Sequence, residues 1–160
     1  MDAVAVPGSF PDLLGRLLLA TLFGALIGLN REREGKPAGL RTHALVALGA
    51  ATLTTVGLLL QSSDAAAPGR VLQGIIAGVG FIGAGVILHR QGGRGVEGLT
   101  TAAAIWIVAA IGVTTAAGLW RTAASVVAVA LLVLVVGERI DRWVHSEPPK
   151  EPDSEDACDA

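Results

Sequence analysis

Residues 30–43 read NREREGKPAGLRTH, between the apolar blocks LLGRLLLATLFGALIGL (13–29) and ALVALGAATLTTVGLLL (44–60). Seven of these fourteen residues are ionisable, in a chain that is 52% hydrophobic. Charge gathered into short islands between apolar runs of helix-spanning length marks an all-α integral membrane protein. A β-barrel would instead show segments of about ten residues alternating apolar and polar, and the chain has none of that pattern.

Working outward, the same alternation gives five spans over about residues 13–29, 42–61, 71–89, 99–118 and 120–137. Each is close to the ~20 residues that a hydrocarbon core of ~30 Å requires. Only Leu119-Trp120-Arg121 separates the last two, which demands a tight turn or one re-entrant element. The mean hydropathy is +0.61, and 16% of residues are charged, against about a quarter in a soluble domain. The order is then a short extracytoplasmic N-terminus (1–12), a five-helix membrane domain (13–145) and a cytoplasmic tail (146–160).

The tail EPPKEPDSEDACDA (147–160) carries six acids and one lysine, so the −2 of the whole chain leaves +3 for residues 1–146. Its composition predicts disorder. Cys158, the only cysteine, excludes an intramolecular disulfide and a cysteine-based metal site. No basic residue precedes Arg16, so the first apolar run reads as an uncleaved span rather than a signal peptide.

Basic residues set the expected orientation. Arg31, Arg33, Lys36, Arg41, Arg90, Arg94, Arg139, Arg142 and Lys150 lie on one side, and only Arg70 and Arg121 on the other. The positive-inside rule places the N-terminus outside and the C-terminus in the cytoplasm.

An ungapped offset of 59 residues aligns 24–44 with 83–103 and matches eight of 21 positions, among them Arg31/Arg90, Gly39/Gly98, Leu40/Leu99 and Thr42/Thr101. Spans 1–2 and 3–4 therefore read as two parallel copies of one helical hairpin. Thr42 and Thr101 at the helix starts are placed to cap backbone N–H groups. Alternatively, they form with Arg31 and Arg90 two pseudo-symmetric mouths of one polar site.

Glycines at 24 and 28 in span 1, and at 74, 78, 80, 83 and 85 in span 3, form small-residue stripes. In lipid such stripes let helix backbones approach closely. Spans 1 and 3 are accordingly expected at the packed centre, and Gly78→Leu is expected to abolish assembly. GVGFIG lacks the strand-turn-helix setting of a nucleotide loop.

Arg16 lies about one turn into span 1 and four residues after Asp12, spaced for an ion pair. It either snorkels to the headgroups or turns inward for function. Gln73 and His43 are weaker candidates, each placed for a local hydrogen bond. Glu32 and Glu34 are poor Mg²⁺ ligands, because Arg31, Arg33 and Lys36 compete for them. No Ser-His-Asp set, HExxH or phosphate loop occurs, so neither an enzyme nor a resident cofactor or metal is expected.

GALIGLNRE-REGKPAGLRTHALVALGAA, GIIAGVGFIGAGVILHR and GVEGLTTAAAIWIVAAIGV, in that order, resemble the membrane domain of the MgtC/SapB family from about Leu13 to Val136. The shared pattern falls on Arg16, Gly24, Gly28, Arg31, Glu32, Gly39, Leu40, Arg41, Thr42, Gly78, Gly80, Phe81, Gly83, Gly85, Gly98, Leu99, Thr101 and Ala102. The family often has Glu where this chain has Asn30, which removes one carboxylate. Longer members carry a folded cytoplasmic C-terminal domain, whereas about 23 residues follow the last span here.

The resemblance implies a bacterial inner-membrane protein tied to growth at low Mg²⁺ and, in pathogens, to virulence. It implies a regulator that binds other membrane proteins, the ATP synthase among them. The competing expectation is a small transporter or channel lined by Arg16, Thr42, Gln73 and Thr101. Expected partners are the lipid bilayer, other membrane proteins and a second copy of the chain, with no nucleic acid.

Overall fold

The structure is a computed structural model, which describes residues 6–88 and 98–144. Within them the chain forms α1 (Phe10–Arg33), α2 (Leu40–Leu60), α3 (Ala67–Leu88), α4 (Leu99–Ala116) and α5 (Trp120–Val144). All five are long and apolar enough to cross a membrane. The expected spans match them one for one. α4 and α5 are separate helices rather than one re-entrant element. Arg90, Arg94, Lys150, Cys158 and the acidic tail lie outside the described residues.

Local chemistry explains the boundaries. Ser9 accepts a hydrogen bond from the Asp12 N–H, and a proline sits in the first turn, so α1 starts there. α1 ends at Gly35, whose φ of 66° is left-handed. There Lys36 N–H donates to Arg31 O and Gly35 N–H to Glu32 O, a Schellman closure that satisfies the last carbonyls. Gly118 (φ 82°) ends α4 in the same way. Gly35 therefore breaks the helix before Pro37 is reached, and Gly39 is the N-cap of α2.

The helices do not pack as the glycine stripes suggested. α1 and α3 share no contact; α4 packs against α1, α2, α3 and α5, and α2 against α1, α3 and α4. Half of α4's spanning stretch is buried, against 11% for α3 and for α5. The centre is thus the crossing of α2 and α4. In lipid, helices associate by close van der Waals approach, so two small-residue faces must meet each other.

Gly24 and Gly28 do meet such a face. A Cβ at Gly24 would lie 2.6 Å from the His43 carbonyl oxygen, and one at Gly28 2.7 Å from Leu40 Cα. Gly112 in α4 sits equally hard against the Ala47 carbonyl and Ala50 of α2. Gly83 has looser contact, with Ala102 Cβ 3.4 Å from its added Cβ. Gly74, Gly78, Gly80 and Gly85 face open space. Among the described residues those four glycines pack no helix, which corrects the central role expected of span 3.

Outward faces carry the large apolar side chains. Leu14, Leu18, Leu22 and Leu26 follow one exposed stripe along α1, and Phe81 is 83% exposed on α3. Inside, Ile27, Ala47, Val108 and Ile111 form a buried cluster with Ala123 and Val127 of α5.

Candidate functional site

Three of the five buried polar side chains among the described residues, Arg31, His43 and Thr101, lie at the end that carries the α1–α2 turn. Arg31 is 3% exposed, and its Nη1 donates to Glu34 Oε2 at 2.6 Å. The pair spans the last turn of α1, where a cation also suits the helix C-terminus. Glu34 is nearly as buried. Burial raises its carboxyl above the ordinary 4.5 and the neighbouring Glu138 carboxyl adds to the rise, while Arg31 pulls the other way.

Around this pair several buried atoms lack a hydrogen-bond partner among the described residues: Arg31 Nε, Glu34 Oε1, Asn30 Oδ1 and His43 Nε2. Buried polar groups are nearly always satisfied by protein or by ordered water, so these atoms are exceptions within the bundle. Arg31 and Glu34 line a cavity of about 580 Å³ with Lys36 and Pro37, the α4 start from Gly98 to Thr101, and Glu138 and Asp141 of α5.

The other acid of the turn has a different task. Glu32 Oε2 accepts the Leu40 N–H at 2.9 Å and so caps α2, a task expected of Thr42. No side chain of the cap residue itself serves α2, since that residue is Gly39. His43 is fully buried and holds Gly39 O through Nδ1 at 2.9 Å, the local hydrogen bond expected of it.

Arg16 lies at the opposite end. It pairs with Asp12 at 3.0 Å and donates from Nη1 to Ala116 O at 2.9 Å. It therefore turns inward and satisfies a carbonyl at the end of α4, rather than snorkelling outward.

Of the residues singled out from the sequence, the structure brings Arg31 and Thr101 to the cavity. Arg41 and Gln73 are exposed and, with Thr42, do not line it. Arg90 lies outside the described residues. Sequence reasoning set Glu34 aside and missed Glu138 and Asp141. The available signal was GERIDRW at the end of α5, where these two acids sit three apart on one helical face. Among the described residues, no group of three or more His, Cys, Asp or Glu is placed to hold a metal ion.

These features define a multi-pass, all-helical membrane protein with a charged pocket at one end of its bundle. The chain belongs to the MgtC family, whose model matches residues 17–143. It is 51% identical over 123 residues to the protein SrpB of Synechococcus elongatus, covering 70% of this chain and 68% of SrpB. It is 48% identical over 103 residues to MgtC of Salmonella typhimurium, covering 64% of this chain and 42% of that protein. Escherichia coli YhiD, described as a putative magnesium transporter, is 42% identical over 107 residues, which cover 63% of this chain and 49% of YhiD. The chain thus spans less than half the length of two of these relatives. No solved structure matches.

Proposed function

We propose that this chain is a non-enzymatic regulator in the bacterial inner membrane, acting in adaptation to low magnesium or stress by binding other membrane proteins. The observation that supports it most is the closed interior of the bundle. The buried hydroxyls of Thr55 and Thr115 donate to carbonyls one turn back in their own helices. Gly24, Gly28 and Gly112 press α1 and α4 onto α2 with no space for a Cβ. Among the described residues such a centre offers no polar path along it. The exposed glycine face of α3 is then the surface on which a partner's helix, or a second copy, docks.

In this reading the N-terminus lies outside and the C-terminus in the cytoplasm, as the basic residues direct. The pocket then faces the cytoplasm. The two hairpins are copies of one unit: α2 and α4 start 59 residues apart, each behind a glycine N-cap, and Gly24–His43 recurs as Gly83–Ala102.

A transporter is the second reading, favoured by the charged pocket and by the description of YhiD as a putative magnesium transporter. Copurification from native membranes at low and high Mg²⁺ tests the first reading. One or a few membrane proteins should be retained at low Mg²⁺ and lost on Gly78→Leu. Recovery of the chain without a partner under both conditions contradicts it.

A further inference from the structure

We propose that Glu34 and Glu138 share one proton, and that this carboxyl–carboxylate hydrogen bond is a pH-sensitive latch holding the polar end of α5 against the end of α1. The inference stands independently of the regulatory reading.

The latch lies where the bundle is loosest. The buried residues of α5 are Ala123 and Val127, both near its start. After Val127 no described residue of α5 is buried. In lipid an apolar helix face gains little by staying on its bundle, because the acyl chains are as apolar as the neighbouring helix. Polar contacts at the far end of α5 therefore decide whether that end stays docked.

The contact with α1 needs a proton to exist. The Glu34 side chain is only 8% exposed. Its Oε2 accepts from Arg31, while Oε1 is buried with no hydrogen-bond partner among the described residues. The carboxyl within hydrogen-bonding reach of Glu34 is that of Glu138, and both acids line the charged pocket. Ionised carboxylates only accept, so these two cannot bond until one of them is protonated. Arg142 does not satisfy Glu138 instead. Its Nη2 stands 3.8 Å from Glu138 Oε1, on a side chain that is 71% exposed, beyond hydrogen-bonding distance.

Charge balance selects a single proton. The ionisable groups around Glu34 are Arg31 on its own helix, Lys36 in the turn that follows, and Glu138 and Asp141 on α5; residues 98–101 of α4 add none. Arg31 is the buried cation among the described residues. A pair of carboxyls holding one proton carries the single negative charge that matches it, whereas two ionised carboxylates side by side repel. Burial and the Glu138 carboxyl hold Glu34 above 4.5, against the pull of Arg31 and Asn30. The proton is thus bound more tightly with α5 docked than with its end released. The latch is complete below pH 4.5 and is lost as pH rises through the raised value, when the proton leaves to water.

Pulsed EPR distances between spin labels at Leu45→Cys and Ile140→Cys, both exposed positions, test this. The full chain carries Cys158→Ser and is held in nanodiscs at about pH 4 and about pH 8. The expected result is a single narrow distance at the acid value. It should be lost to a longer, broader distribution at the alkaline one, with a midpoint above 4.5. Glu138→Gln brings amide N–H donors to Glu34 Oε1 and needs no proton, so it should keep the short distance at both values. Glu138→Leu should give the long distribution at both. A wild-type distance that does not move with pH overturns the proposal, as does a pH shift that survives Glu138→Gln.

Discussion

The two hairpins place a glycine against the partner helix at corresponding points, yet with different closeness. In α1–α2 a Cβ on Gly24 would fall 2.6 Å from the His43 carbonyl oxygen; in α3–α4 the counterpart on Gly83 would lie 3.4 Å from Ala102 Cβ. The first hairpin is locked and the second has slack. Glycine alone therefore does not mark a packed seam. A seam needs a small face on both helices, and α1 finds one on α2, whereas most of α3's glycines find none.

The largest effect should come from breaking the locked seam. Gly24→Leu drives a side chain into the backbone of α2, and overpacking of this kind costs about 3 kcal/mol or more. Its folded yield and melting temperature in detergent should collapse. The same change at Gly83 should lower the melting temperature far less, and equal losses would erase the distinction between the hairpins.

Arg31→Gln comes next, because it leaves Glu34 buried without its cation. Breaking one side of a buried pair costs about 3 kcal/mol, and Arg31→Gln/Glu34→Gln should recover most of it. Acidity should also soften the single variant's loss. Glu34's carboxyl is raised above 4.5 by burial and by Glu138, so the folded state binds its proton more tightly than the unfolded chain does. That stabilisation is full below pH 4.5 and is lost as pH rises through the raised value. Glu34→Gln should flatten the dependence of melting temperature on pH over that window, and an unchanged slope would count against the assignment.

Glu32→Ala should cost about 1 kcal/mol, the usual worth of an N-cap, through fraying of α2. Amide exchange at the start of α2 would report it, and protection equal to wild type would return the capping task to Thr42. The smallest effect belongs to Gly78→Leu, which should leave the isolated chain's stability within about 0.5 kcal/mol of wild type. Only partner capture should suffer, so the sequence-based expectation of lost assembly narrows to contacts with other chains.

Much of the fold was legible because span length and helix punctuation are local properties. The five spans follow from runs of residues and need no tertiary knowledge, although α2 starts at Leu40 behind Gly39 rather than at 42. The central pairing of α2 with α4 was not legible, since alanine is unremarkable in any one span and matters only where two such faces cross at Ala47 and Gly112. The site divided similarly. Arg31 stood out as a charge repeated 59 residues on. Glu34 was judged by its neighbours in sequence, and only the bundle brings Glu138, some hundred residues later, to the same cavity.

The proposed regulatory function requires a bundle whose centre is closed and whose charged pocket is a binding chamber at one end. Reconstitution of the full chain in liposomes loaded with a Mg²⁺-sensitive dye tests that most directly. The result expected is no flux above protein-free vesicles at any imposed gradient. Flux that scales with protein and vanishes on Arg31→Gln/Glu34→Gln, with the bundle still folded, would contradict it and make the pocket the mouth of a pathway.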